Sequence, residues 1–217
     1  MNEIIHRLEV LEVDIQIQVR EKNMIKKLYL LFLVISFTSY SQKFDKKINE
    51  LVSNYEMDVI ELRHWFHENA ELSNREFNTA KRIEQELIKI GLKPQSGIAK
   101  TGVVALLKGG KPGPVVALRA DIDGLPVKER ADLPWKSEMI GEYNGETVPV
   151  MHACGHDTHI AILLGTAKIL YELKDQIPGT IKFIFQPAEE GAPAGEEGGA
   201  ELMVKEGVLK NPDVDAI

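Results

Sequence analysis

Residues 148–163 read VPVMHACGHDTHIAIL. Three of the six histidines, the sole cysteine and an aspartate stand in front of an apolar run. Such side chains are costly to bury without partners, so their crowding needs a reason. His152, Cys154 and His156 alternate, and in extended backbone they share a face. A thiolate and an imidazole two residues apart suit a borderline-soft divalent ion. Alternatively Cys154 and a histidine form a thiol nucleophile pair, or the cluster is structural. Asp157 and Thr158 are placed to cap the helix that follows. His159, in its first turn, reads as a packing or supporting residue rather than a ligand.

Working outward, THIAILLGTAKILYEL is a helix with an almost continuous apolar body, and GTIKFIFQ, through Gln186, is a strand. Upstream, TGVVALLKGG and GPVVALRADID are short β-branched runs bounded by glycine and proline, and predict two more strands. Between residues 44 and 71 the apolar positions Ile48, Leu51, Val52, Tyr55, Val59, Leu62 and Phe66 follow a helical period. Ser73 with Glu76 has the spacing of a capping box, which predicts a second helix from there to Gly91. Helix, strand, strand, helix, strand, helix implies an α/β fold, a sheet covered by helices. No repeat of fixed period interrupts it.

The chain has 217 residues, 44% hydrophobic and 27% charged, with a net charge of −7. This is globular composition, and the mixed, acidic charge argues against a nucleic-acid partner. One cysteine makes no internal disulfide. Near the N-terminus, MIKKLYLLFLVISFTSYSQ has the charge, apolar core and small-residue order of a signal peptide over residues 24–41, with Ser39 and Ser41 suited to cleavage before Gln42. Its apolar run is too short to span a membrane. Residues 1–23 are then expected to be an over-called extension, and the product to be exported, periplasmic or extracellular.

Two further clusters sit at strand ends. In LRADIDGLPVKE a strand runs into Asp121 and Asp123, which share a face if it stays extended, although Asp-Gly-Leu-Pro is also turn chemistry. In FIFQPAEEG, Glu189 and Glu190 follow a strand at the end where open α/β sheets bind ligands. A solvated surface pair is the plain alternative. Adjacent carboxylates can also divide metal binding from proton transfer.

LRADIDGLP, MHACGHDTH and QPAEEG, in this order, resemble the M20 metallopeptidase superfamily. More narrowly they resemble its amidohydrolase branch of N-acyl-amino-acid, hippurate and auxin-conjugate hydrolases. RHWFHENAELSNREFNTAKRIEQEL is similar to that branch's N-terminal helices. The resemblance covers about residues 47–217. It implies a two-domain metallohydrolase in which a catalytic α/β domain with two divalent ions, Mn2+ or Zn2+ (Co2+ or Ni2+ also suit), is covered by a smaller lid domain that often mediates dimers. By motif, Cys154, His156 and Glu190 match metal ligands and Glu189 the general base. Asp123 matches an aspartate that orients a ligand, and Asp121 lies where related branches place a metal-binding histidine. His152 has no direct role in this scheme. The implied reaction cleaves the amide bond of a small N-acyl amino acid to a carboxylate and a free amino acid, with dipeptide hydrolysis or an inactive metal-binding remnant as alternatives. Residues 44–217 are expected to be the N-terminal part of an incomplete catalytic domain, with the lid and further histidine ligands beyond Ile217. Such a chain alone is expected to bind metal weakly and turn over little.

Overall fold

The computed structural model describes residues 44–217, together with 20, 22 and 24–27. Apart from residues 24–27, the expected leader and its cleavage site lie outside the described residues. The chain divides into two units, Met1–Leu51 and Val52–Ile217. Every described residue of the first unit is helical. No helix among the described residues is long and apolar enough to cross a membrane.

The second unit opens with helical residues 52–68 (α1) and continues with α2 (Phe77–Ile90), β1 (Gln95–Ile98), β2 (Gly102–Lys108) and β3 (Lys111–Asp121). The hairpin strands β4 (Met139–Tyr143) and β5 (Glu146–Val150) follow, then α3 (His156–Glu172), β6 (Pro178–Gln186) and α4 (Gly199–Lys205). The main sheet has the order β1-β2-β6-β3. β6 is antiparallel to β2 and parallel to β3, with α3 in the crossover between the parallel pair. The expected α/β fold, a sheet between helices, is present.

Strand alternation divides the core in two. Val103, Ala105 and Leu107 of β2 and Phe183 and Phe185 of β6 face one layer, where they pack with Phe66 of α1, Ile83 and Leu87 of α2, and Ile160 and Leu164 of α3. The intervening Ile184 faces the other side and packs with Ala117, Met203 of α4 and Val208. Each large apolar side chain buried this way is worth about 1.5–3 kcal/mol.

Two local readings are corrected. Ser73 and Glu76 form no capping box, and α2 starts at Phe77 without a side-chain bond from its N-cap. Glu71 does the capping, its carboxylate accepting the N–H groups of Asn78 (3.2 Å) and Thr79 (2.8 Å). The hairpin β4–β5 was not expected, although its turn carries the signal: Asn144 and Gly145 have φ of 52° and 80°, both left-handed, as a tight two-residue hairpin loop requires.

Lys182, in the middle of β6, is only 2% exposed. Its ammonium donates to the carbonyls of Val208 (2.9 Å), Lys210 (2.8 Å) and Pro212 (3.0 Å). This pins the segment that brings residues 214–216 alongside β3, where Ala117 N–H donates to the Ala216 carbonyl at 2.8 Å. Lys182→Met keeps the volume but leaves three carbonyls without their donor. It is expected to lower the unfolding free energy by about 3 kcal/mol, read as a lower urea midpoint at unchanged m-value.

Candidate metal centre

β3 and β6 end level, with Asp121 paired to Gln186. The chain leaves β3 through Asp123 and leaves β6 through Pro187 into Glu189 and Glu190, while α3 begins nearby at His156. One donor atom each from Cys154, His156 and Glu190 lies within 4.8 Å of the others. His156 Nε2 is 3.6 Å from Glu189 Oε2 and 3.9 Å from Glu190 Oε1. The five residues named from the motifs, Asp123, Cys154, His156, Glu189 and Glu190, therefore converge.

They do not converge through an extended strand. Residues 152–155 carry no strand, and Gly155 turns the chain at φ +94° before the helix starts. That left-handed conformation favours glycine, and it brings Cys154 and His156 together. His152 is left behind. It is 4% exposed, with neither ring nitrogen hydrogen-bonded among the described residues. Burial pushes its pKa down to about 4, so it is a neutral imidazole.

Asp123, 1% exposed, organises the donors. Its carboxylate accepts the Ser73 hydroxyl (2.7 Å) and the Glu190 N–H (3.0 Å). His156 Nδ1 lies 2.9 Å from the Asp123 carbonyl and 3.3 Å from its carboxylate. A proton held there leaves Nε2 as the nitrogen that faces Glu190 and can bind a cation once its own proton is displaced. Burial opposes the Asp123 charge, but His156, Ser73 and the N–H groups of Glu190 and Glu189 outweigh it and hold the carboxyl below its usual range. Burial also opposes charge on His156, yet Asp123 and then Asp121 lift it to about 9.

A cation fits this donor set. Thiol, imidazole and carboxylate converge, and the surrounding carboxylates favour positive charge at Nε2. The thiol-nucleophile alternative fares worse. The Cys154 thiol is raised above its ordinary value, first by the neighbouring Glu190 carboxylate and then by Glu189 and Asp121. A nucleophilic cysteine needs the opposite.

Asp121, His156 and His159 form a second possible donor group. His159, read from sequence as a supporting residue, is exposed, stacks on His156 at 5.5 Å and places Nδ1 3.6 Å from Asp121. The two groups share His156, whose one free lone pair serves one cation at a time.

The N-cap position of α3 is Gly155 rather than Asp157 or Thr158, although Asp157 does accept the first-turn N–H of Thr158 at 2.8 Å. Its other carboxylate oxygen anchors a buried network that the sequence reading missed. Its carboxylate is 2.9 Å from Arg63 and 2.8 Å from His67 Nδ1, and His67 Nε2 reaches Glu129 at 2.7 Å. The signal was two polar residues inside an apolar helix period. This network ties α1 to the start of α3 and to the loop after Asp123.

Residues 117–217 match the family model of peptidase family M20/M25/M40. All three motifs fall inside the matched stretch. A thermostable carboxypeptidase 2 of Saccharolobus solfataricus is 45% identical over 169 residues, 77% of this chain and 40% of that protein. An N-acyl-L-amino acid amidohydrolase of Geobacillus stearothermophilus is also 45% identical, over 78% of this chain and 42% of its own length. The crystal structure of the Bacillus subtilis YXEP protein, described as a dinuclear metal binding peptidase of the M20 family, aligns with a TM-score of 0.63 at 40% identity. It covers 72% of this chain and 41% of that one. The chain thus spans about 40% of the length of the relatives it matches.

Two outcomes test the support of the site. Asp123→Asn is expected to weaken zinc or manganese affinity about 10–100-fold by competition with a chelator; unchanged affinity would show that the backbone carbonyl alone holds His156. The second concerns His67, whose pKa is raised from 6.5, first by its bond to Asp157, against burial, and then by Glu129. A histidine raised on folding lends its full stability below its unfolded pKa and loses it as pH rises through the folded value. The stability advantage over His67→Gln should therefore be greatest below pH ~6.5 and shrink as the pH rises above it.

Proposed function

We propose that the protein is a metal-dependent amidohydrolase that cleaves small N-acyl amino acids to a carboxylic acid and a free amino acid. The carrying observation is the convergence of Cys154, His156 and Glu190 at the level ends of two parallel strands, with the Glu189 carboxylate beside them. The similarity to an enzyme named for N-acyl-amino-acid hydrolysis supports the substrate class.

Cys154, His156 and Glu190 would hold a divalent cation, with Asp121 and His159 offering donors at its flank. Zinc and manganese suit the mixed set, and cobalt or nickel could substitute. When bound, the cation supplies Lewis-acid polarisation of the amide carbonyl and makes water easier to deprotonate. Glu189 is the base. Its side chain is 39% exposed, so water and substrate can reach it. It takes a proton from the attacking water and returns it to the leaving nitrogen, closing the proton balance. Asp123 keeps His156 oriented and, through the Glu190 N–H, keeps the glutamate pair in place.

A second reading, cleavage of short peptides at the same centre, draws on the similarity to a carboxypeptidase. Comparing kcat/KM for N-acetyl amino acids and for dipeptides with the full-length protein separates the two. Under either reading Glu189→Gln should cut kcat by about 10²–10⁴-fold while metal affinity stays near wild type. A variant that keeps its rate removes Glu189 from the chemistry.

A further inference from the structure

Four consecutive residues, Ser73–Glu76, reach toward the loop that carries Glu189 and Glu190. Ser73 donates to Asp123, Asn74 donates to Glu196 and to the Glu197 carbonyl, and Arg75 pairs with Glu196 at 2.6 Å. Glu76 goes deepest, with 0% exposure. One of its oxygens accepts the Ala188 N–H at 2.8 Å, and the other accepts the Thr101 hydroxyl at 2.6 Å.

Ala188 immediately precedes Glu189 and has φ +49°, a left-handed conformation that alanine seldom adopts. Such a conformation persists only where its surroundings enforce it. The next anchor is the Glu190 N–H, held by Asp123 at 3.0 Å. Glu189 is thus suspended between two buried carboxylates, one gripping the residue before it and one the residue after. A carboxylate is a costly choice for a core position; burial pushes Glu76 up to about 7 even against its hydrogen bonds.

We propose that Glu76 is a positioning residue, which fixes the direction of the Glu189 carboxylate by holding the Ala188 backbone in its left-handed turn. This rests on the reading of Glu189 as the base. Glu76 itself is sealed from substrate. An acceptor oxygen on Ala188 N–H is all the role demands, and a protonated acid or an amide still provides one.

Glu76→Leu fills the volume without an acceptor; Glu76→Gln keeps the acceptor and can donate to Thr101. In the metal-free protein, hydrogen exchange at the Ala188 amide should be slow in wild type and Glu76→Gln and at least about tenfold faster in Glu76→Leu. Equal exchange in all three overturns the tether, whether or not the protein hydrolyses anything. In the metal-loaded full-length protein, Glu76→Leu should lose about 10²-fold in kcat with little change in KM, and Glu76→Gln should recover most of it with an unshifted pH profile. Wild-type kcat in the Leu variant overturns the positioning role. So does a Gln variant as slow as Leu, or one lacking a limb of the pH profile. If the wild type turns over no acyl amino acid or dipeptide, the hydrolase reading fails and exchange at Ala188 alone decides the tether.

Discussion

The parallel pairing of β3 with β6 is the constraint on which the site depends. Parallel strands cannot be joined by a tight turn, so a crossover must carry the chain back, and α3 is that crossover. Its geometry places the start of the helix at the same end of the sheet as the finish of both strands. Three separate segments, after β3, after β6 and before α3, are delivered to one place by backbone hydrogen bonding and apolar packing. The register pairing Asp121 with Gln186 makes the delivery level. A slip of one residue would turn every side chain of β6 to the wrong face. It would send Phe183 and Phe185 out of their layer, so the core itself enforces the register of the site.

Bringing these segments together concentrates negative charge, and the fold has to carry it. Asp121, Asp123, Glu189 and Glu190 gather around His156, and Asp123 and then Asp121 lift its imidazole to about 9 against burial. The protein stabilises this arrangement with donors rather than with bulk cations. Ser73 and the Glu190 N–H act on Asp123, and Arg119 lies 3.2 Å from Asp121. Beneath, Arg63 and His67 answer Asp157. The remaining unanswered charge faces the exposed side, where Cys154, Glu189 and Glu190 point. A divalent cation there meets an electrostatic environment already built for it.

The fold was legible where an element is buried in the core. The apolar runs of β2 and β6 and the continuous apolar body of α3 reflect the burial of these elements in the core. The donor set was legible because Cys154, His156, Glu189 and Glu190 stand in short motifs at strand ends. What escaped was everything set by long-range contact. Ser73 and Glu76 have the spacing of a capping box, and local chemistry offers no sign that they reach Asp123 and Ala188 instead. His152 and His156 look alike in sequence, and only the left-handed turn at Gly155 separates them into one buried spectator and one donor. The Asn144–Gly145 hairpin is different, because its signal was local and was overlooked.

Burial grades the centre from support to working surface. Glu76, Asp123, His156 and Asp157 are each no more than 2% exposed, whereas Cys154, Glu189 and Glu190 are exposed. Buried hydrogen-bonded groups have few alternatives and hold their geometry, because leaving a partner unsatisfied is expensive. Exposed carboxylates adjust at little cost. A centre that must accept a cation, a water and a substrate in turn needs both properties, a rigid backbone frame and accessible terminal atoms. The glutamate pair shows how they are combined. Its main chain is held by hydrogen bonds to buried carboxylates on either side of Glu189, which sets the direction in which its exposed side chains meet what binds.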